Sequence, residues 1–156
     1  IPYIGGEEEK SEQEPLRVLG HVECGQIVKA AFPKITCQCI RVPVSDGHLA
    51  AVFFSLRDKA SKEEILRRWR DYAGEPQRLA LPSAPKQFLH YFEEPDRPQT
   101  RLDRDLEKGM AVSVGRLRED SQYDYKFVCL SHNTIRGAAG GAILMAELLA
   151  AKGHFD

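Results

Sequence analysis

The chain has 156 residues, with 22 Lys+Arg against 23 Asp+Glu and a formal net charge of −1. That length suits one domain burying roughly two-thirds of its unfolded surface, and the charge balance leaves no basic surplus for nucleic acid or an anionic membrane. No apolar run approaches the roughly 18 residues of a membrane span and no leader opens the chain, so a cytoplasmic protein is expected.

Residues 1–4 predict a short strand and Gly5-Gly6 a turn. Glu7-Glu8-Glu9-Lys10 then opens a helix toward Gly20, its acidic residues suiting the positive end of the dipole. Pro15 predicts a kink or a fresh helix start. Residues 21–33 carry no clear period. Residues 35–41, Ile-Thr-Cys-Gln-Cys-Ile-Arg, alternate as a strand does, with Ile35, Cys37, Cys39 and Arg41 on one face. An arginine closing an uncharged face can grip a carboxylate through two parallel hydrogen bonds. Asp46-Gly47 then turns the chain to His48, a residue type suited to moving protons. The plainer reading of this pair is a strand cap and a turn residue.

Residues 48–56 predict a strand buried on both faces. Ser61-Lys-Glu-Glu64 is a capping box opening a helix with Ile65, Leu66, Trp69 and Tyr72 inward and Arg67, Arg68 and Arg70 in solvent, stopped by Gly74. Residues 81–85 read as an extended loop, 88–92 as a brief strand, and 96–105 as a surface loop laced with salt bridges. Residues 111–117 and 125–130 predict a hairpin. With connections too short for helical crossovers, the fold class expected is α+β: a mixed, largely antiparallel β-sheet with helices packed on one face. Residues 131–141 are small and glycine-rich and run into an apolar helix over 142–151. Close helix packing explains Gly137, Gly140 and Gly141 as readily as approach to a ligand, and no Rossmann spacing is present. Cys24, Cys37, Cys39 and Cys129 form no Cys-x-x-Cys pair, which predicts reduced packing thiols and no metal site.

Five stretches, Ile1-Pro-Tyr-Ile-Gly-Gly-Glu-Glu-Glu-Lys10, Arg41-Val-Pro-Val-Ser-Asp-Gly-His48, Leu81-Pro-Ser-Ala-Pro85, Asp96-Arg-Pro-Gln-Thr-Arg-Leu-Asp-Arg-Asp105 and Ser131-His-Asn-Thr-Ile-Arg-Gly-Ala-Ala-Gly-Gly141, resemble in order the later portion of the archaeal and fungal type of aspartate-semialdehyde dehydrogenase. The resemblance implies a domain like the C-terminal one of glyceraldehyde-3-phosphate dehydrogenase. Residues 1–130 would form a catalytic and dimerisation domain, and residues 131–156 a glycine-rich segment and helix packing back on an NADP-binding domain outside this sequence. The implied reaction is NADP-dependent reductive dephosphorylation of β-aspartyl phosphate to aspartate semialdehyde, in amino-acid biosynthesis leading to lysine, threonine and methionine. By match to the family motifs, Arg41 would clamp the substrate α-carboxylate, Glu7 face its amino group, Lys10 hold an anionic group and His48 serve as acid/base catalyst. Asn133, Thr134, Gly137, Gly140 and Gly141 would approach the nicotinamide, and the partners would be the small-molecule substrate and a second copy in a homodimer or higher oligomer.

Two family features are missing from this sequence: the Ser-Asn-Cys-Ser-Thr-like nucleophile motif and the dinucleotide-binding glycine loop. The chain therefore reads as a C-terminal part whose isolated form is inactive, and Pro15 departs from the family where a helix former is expected. The alternatives are a paralogue resembling malonyl-CoA reductase, which the amino-acid-binding pair Glu7 and Arg41 disfavours, and a purely dimerising module without catalysis.

Overall fold

The computed structural model describes residues 1–155, and the chain divides into two compact units, Ile1–Pro43 and a second beginning at Val44. The first is built on helix α1, Glu7–Val18, and a hairpin of β1, His21–Glu23, and β2, Gln26–Val28. Pro15 lies inside α1 and does not start a new helix: the Leu19 N–H still reaches the Pro15 carbonyl at 2.9 Å. The proline forgoes its own donor only. The hairpin fills the stretch without a readable period, because its strands have three residues each and are exposed throughout. Cys24 and Gly25, at φ 49° and 76°, make its two-residue turn, the left-handed pair that matches strand twist. A Cβ on Gly20 would lie 2.2 Å from the Val28 carbonyl oxygen, which explains the glycine between α1 and the hairpin.

The expected strand over residues 35–41 does not form, and neither does the one over residues 1–4. The Cys37 and Cys39 N–H groups donate to the carboxylates of Glu12 and Glu8, at 2.8 and 2.9 Å, so acceptors one helical turn apart on α1 replace a neighbouring strand. Farther along, the Arg41 N–H reaches the Ile1 carbonyl at 2.9 Å and the Ile1 ammonium returns to the Arg41 carbonyl at 3.0 Å. The segment thus runs antiparallel to α1, and the alternation survives: Ile35, Cys37 and Cys39 are half-buried between exposed neighbours, while Arg41 is exposed.

The second unit holds a four-stranded sheet in the order β3-β6-β5-β4, with β3 His48–Phe54, β4 Leu89–Phe92, β5 Val112–Glu119 and β6 Tyr125–Ser131. β5 and β6 form the expected antiparallel hairpin and β3 adds antiparallel to β6. β4 is parallel to β5: residues 93–111 form a crossover, contrary to the expectation of short connections, and carry α4, Thr100–Asp103, and α5, Leu106–Gly109. Helix α2, Lys62–Arg70, is capped by the Ser61 hydroxyl, which accepts the Glu64 N–H at 3.2 Å. It buries Ile65 and sets Trp69 against Phe127 and Tyr91, with ring centroids 5.2 and 6.2 Å apart. It ends before Gly74, which instead precedes the single turn α3, Glu75–Arg78. On the other face, α4 reaches the sheet where the buried Ser113 hydroxyl donates to the Asp103 carbonyl.

Two further expectations are corrected. β3 is an edge strand, not buried on both faces: Leu49 is 54% and Phe53 53% exposed. Residues 96–105 are not a surface loop alone, since the Arg97 fork closes on Asp103, which is 3% exposed, while the guanidinium lies over the Phe92 ring at 4.5 Å. After β6, one π-helical turn, Ile135–Ala139, leads into α6, Gly140–Ala151, which starts two residues earlier than expected. α6 buries Leu144 and ties itself to the 81–85 loop through Glu147, whose carboxylate accepts the Ser83 N–H at 2.9 Å and the Ser83 hydroxyl at 2.7 Å. No helix among the described residues is long and apolar enough to cross a membrane.

Candidate functional site

His48 is the first residue of β3, exposed, and stands opposite Ser131 in the register with β6. Its delivery depends on Gly47, at φ 108°, a conformation open to glycine and strained for other residues. The Gly47 N–H donates to Asn133 Oδ1 at 2.9 Å. Strand pairing therefore brings Asn133, two residues past the end of β6, beside the turn that carries His48. On the other side of the turn, Arg104 Nη1 donates to the Ser45 hydroxyl at 2.5 Å.

His132, between Ser131 and Asn133, is buried and was not singled out by the sequence reading. Its Nδ1 accepts the Ile135 N–H at 3.3 Å and stands 3.2 Å from the Thr134 hydroxyl. With Nδ1 accepting, the ring proton sits on Nε2, 3.6 Å from an Asp105 carboxylate oxygen, so His132 fixes the bend that presents Asn133 and Thr134. A histidine placed directly after an apolar strand was the available signal. Arg104 was missed because its spacing matches that of the surrounding surface charges.

The three glycines separate. A Cβ on Gly140 would meet Met110 Sδ at 2.5 Å and the Ile135 carbonyl at 3.0 Å, and one on Gly141 the Arg136 carbonyl at 2.5 Å. Internal packing and the π-turn thus account for both. A Cβ on Gly137 would meet only the His132 carbonyl, at 3.6 Å. Its backbone is open to an approaching group, as is the exposed Thr134.

In the first unit, Glu7 and Lys10 lie one turn apart on α1 with a carboxylate–ammonium separation of 3.6 Å. Arg41 is carried beside Ile1 toward the same end of the helix. Glu7, Lys10 and Arg41 therefore belong to the first unit, and His48, Asn133, Thr134 and the three glycines to the second. Two of the cysteines are disfavoured as nucleophiles. Burial and the neighbouring Cys39 thiol, whose sulfur is 3.7 Å away, push the Cys37 thiol up, and burial pushes Cys129 up; both shifts disfavour the reactive thiolate. No group of three or more His, Cys, Asp or Glu able to hold a metal occurs among the described residues. A groove of about 550 Å³ beside α2, floored by Phe54, Trp69 and Phe127, lies at the opposite end of β3 from His48. Its Lys59 and Arg68 are ion-paired with Asp124 and Glu64, so it has no part in the His48 region.

A family profile described as "Semialdehyde dehydrogenase, dimerisation domain" matches residues 1–136. The chain is 48% identical to the aspartate-semialdehyde dehydrogenase of Candida albicans over 97% of its own length and 43% of that protein's. It is 46% identical to that of Methanothermobacter thermautotrophicus, again over 43% of the relative. A crystal structure of the Candida albicans enzyme with NADP superimposes with a TM-score of 0.88 at 47% identity, covering 99% of this chain and 45% of that one. A Vibrio cholerae aspartate semialdehyde dehydrogenase II structure reaches a TM-score of 0.56 at 27% identity over 73% of the chain. The chain spans less than half the length of these relatives.

Proposed function

Since the chain belongs to the semialdehyde dehydrogenase dimerisation-domain family, we propose that it is the catalytic and dimerising portion of an NADP-dependent aspartate-semialdehyde dehydrogenase, acting in the cytoplasm on β-aspartyl phosphate and aspartate semialdehyde. The observation that carries this reading is the 48% identity sustained over 97% of the chain.

The roles are those the family resemblance implies, and the chemistry of each residue suits its role. The Arg41 fork, exposed at the end of an extended segment, suits the two oxygens of the substrate α-carboxylate. Glu7 supplies an acceptor for the α-amino group. Lys10, held near Glu7 by their ion pair, offers an ammonium to the phosphate or another anionic group. His48 takes the proton of the attacking thiol and later returns it, work suited to an exposed imidazole, which can both accept and donate a proton. None of the four cysteines stands in the family's Ser-Asn-Cys-Ser-Thr-like context, and two are pushed away from the thiolate form, so the attacking thiol would come from outside this sequence.

When bound, NADPH would supply the hydride in the reductive direction and NADP⁺ would accept it in the reverse. The residues suited to border it are Asn133, Thr134 and Gly137, through a side-chain amide, an exposed hydroxyl and an open backbone. Gly140 and Gly141 are accounted for by packing and drop to a supporting role. The exposed Leu49 and Phe53 on β3 are where a second copy would pair, in line with the family's description.

The test is a chimera in which this chain replaces the matching segment of the Candida albicans enzyme. Phosphate-dependent reduction of NADP by aspartate semialdehyde, at a rate within about tenfold of the parent, is expected; a folded, NADP-binding chimera without turnover would reject the reading.

A further inference from the structure

Around His48 the contacts close into a ring. The turn at residues 45–47 is joined through the Gly47 N–H to Asn133, and the next residue back, His132, faces Asp105. Asp105 adjoins Arg104, whose Nη1 returns to Ser45. Only 25% of the Arg104 side chain is exposed. Its Nε is buried without a hydrogen-bond partner, the nearest carboxylate oxygen, on Asp105, lying at 3.5 Å. The guanidinium thus lies between the Asp105 carboxylate, its ion-pair partner, and the Ser45 hydroxyl to which Nη1 donates. Long-range steering is not its part here, since the bond it makes is a direct contact with a neutral hydroxyl.

We propose that Arg104 is a positioning residue for His48: with Asn133 it anchors the Ser45–Gly47 turn at two points, so that the imidazole leaves the turn in one orientation. This deepens the proposed function and rests on His48 as the acid/base group. Without the Ser45 tether, the Gly47 hydrogen bond and the His48–Ser131 pairing remain, but residues 45–46 are released and the ring samples more orientations, a loss felt in turnover rather than in substrate affinity. Ser45 is the acceptor through which Arg104 acts, and its exposure makes Ser45→Ala a substitution the fold tolerates.

The test has two readouts. In the isolated chain, 15N relaxation of the Gly47 and His48 amides is expected to show ordered backbone in the wild type, increased mobility in both Arg104→Gln and Ser45→Ala, no further increase in the double variant, and partial recovery in Arg104→Lys. Arg101→Gln, at an exposed arginine of the same crossover, leaves these amides as in the wild type. Unchanged order in Arg104→Gln, or a Ser45→Ala chain as rigid as the wild type, overturns the proposal. In the chimera, Arg104→Gln and Ser45→Ala are each expected to lower kcat about tenfold with KM for the semialdehyde within twofold. If His48→Asn abolishes turnover while Arg104→Gln leaves kcat within twofold, positioning by Arg104 is wrong. If His48→Asn is itself fully active, the acid/base role is what fails, and the amide measurements alone decide the positioning.

Discussion

His48 takes its place from its neighbours: a glycine with φ 108°, a strand partner at Ser131 and an asparagine that holds the preceding amide. The sequence supplies the residue types and their order, and it gave no means of seeing that residues 45–47 and 131–133 meet, because 86 positions separate Gly47 from Asn133. At the same scale, Asp120 tests the electrostatics of the sheet's far end. The Lys126 ammonium at 2.7 Å, with the Gln122 and Tyr123 N–H groups, holds its carboxyl well below the usual carboxylate range. A carboxyl that binds its proton more weakly folded than unfolded stabilises the fold above the ordinary Asp pKa of about 4, and the contribution is lost as pH falls below that value. Asp120→Asn is therefore expected to lower Tm at pH 7 and to flatten the fall in Tm between pH 5 and pH 2; equal slopes for the two proteins would show that Asp120 contributes nothing to the acid transition.

Among the elements, those with strong local signals were readable. The Ser61 cap, the Ile65–Trp69 stripe and the β5–β6 hairpin form as their patterns require. What could not be read depended on distant acceptors. Residues 35–41 have a strand's alternation, yet their donors go to Glu8, Glu12 and Ile1, and the parallel pairing of β4 follows from a crossover whose single-turn helices have no amphipathic period. Gly115 in β5 gives an element-scale prediction, since a Cβ there would stand 2.3 Å from the Arg97 carbonyl oxygen. That carbonyl is held by the fork between Arg97 and buried Asp103, so it cannot easily give way. Gly115→Ala is expected to cost roughly 1–3 kcal/mol in denaturant unfolding; a midpoint equal to that of the wild type would mean that the crossover moves freely over β5.

For the whole molecule, the edge strand matters most. Leu49, Phe53 and Tyr123 are each half or more exposed, and Phe53 and Tyr123 pack together, with ring centroids 6.2 Å apart. Exposed apolar surface of this kind on a sheet commonly marks an interface, and a two-fold pairing of identical copies is the simplest way to cover it. Sedimentation of the chain at micromolar concentration is expected to give a dimer, and Phe53→Glu a monomer near 17.6 kDa; a wild-type monomer without concentration dependence would remove β3 as the pairing surface. Alone, the dimer is expected to show no turnover, for want of a nucleophile and a dinucleotide site.

The proposed function gives Arg41 a part in substrate binding and His48 a part in proton transfer, and steady-state kinetics of the chimera measure each directly. Arg41→Lys keeps the charge and loses the fork, so KM for aspartate semialdehyde is expected to rise about tenfold or more with kcat little changed. His48→Asn should lower kcat about a hundredfold with KM nearly constant. The account is contradicted if Arg41→Lys leaves KM within twofold, or if a folded His48→Asn chimera keeps its kcat.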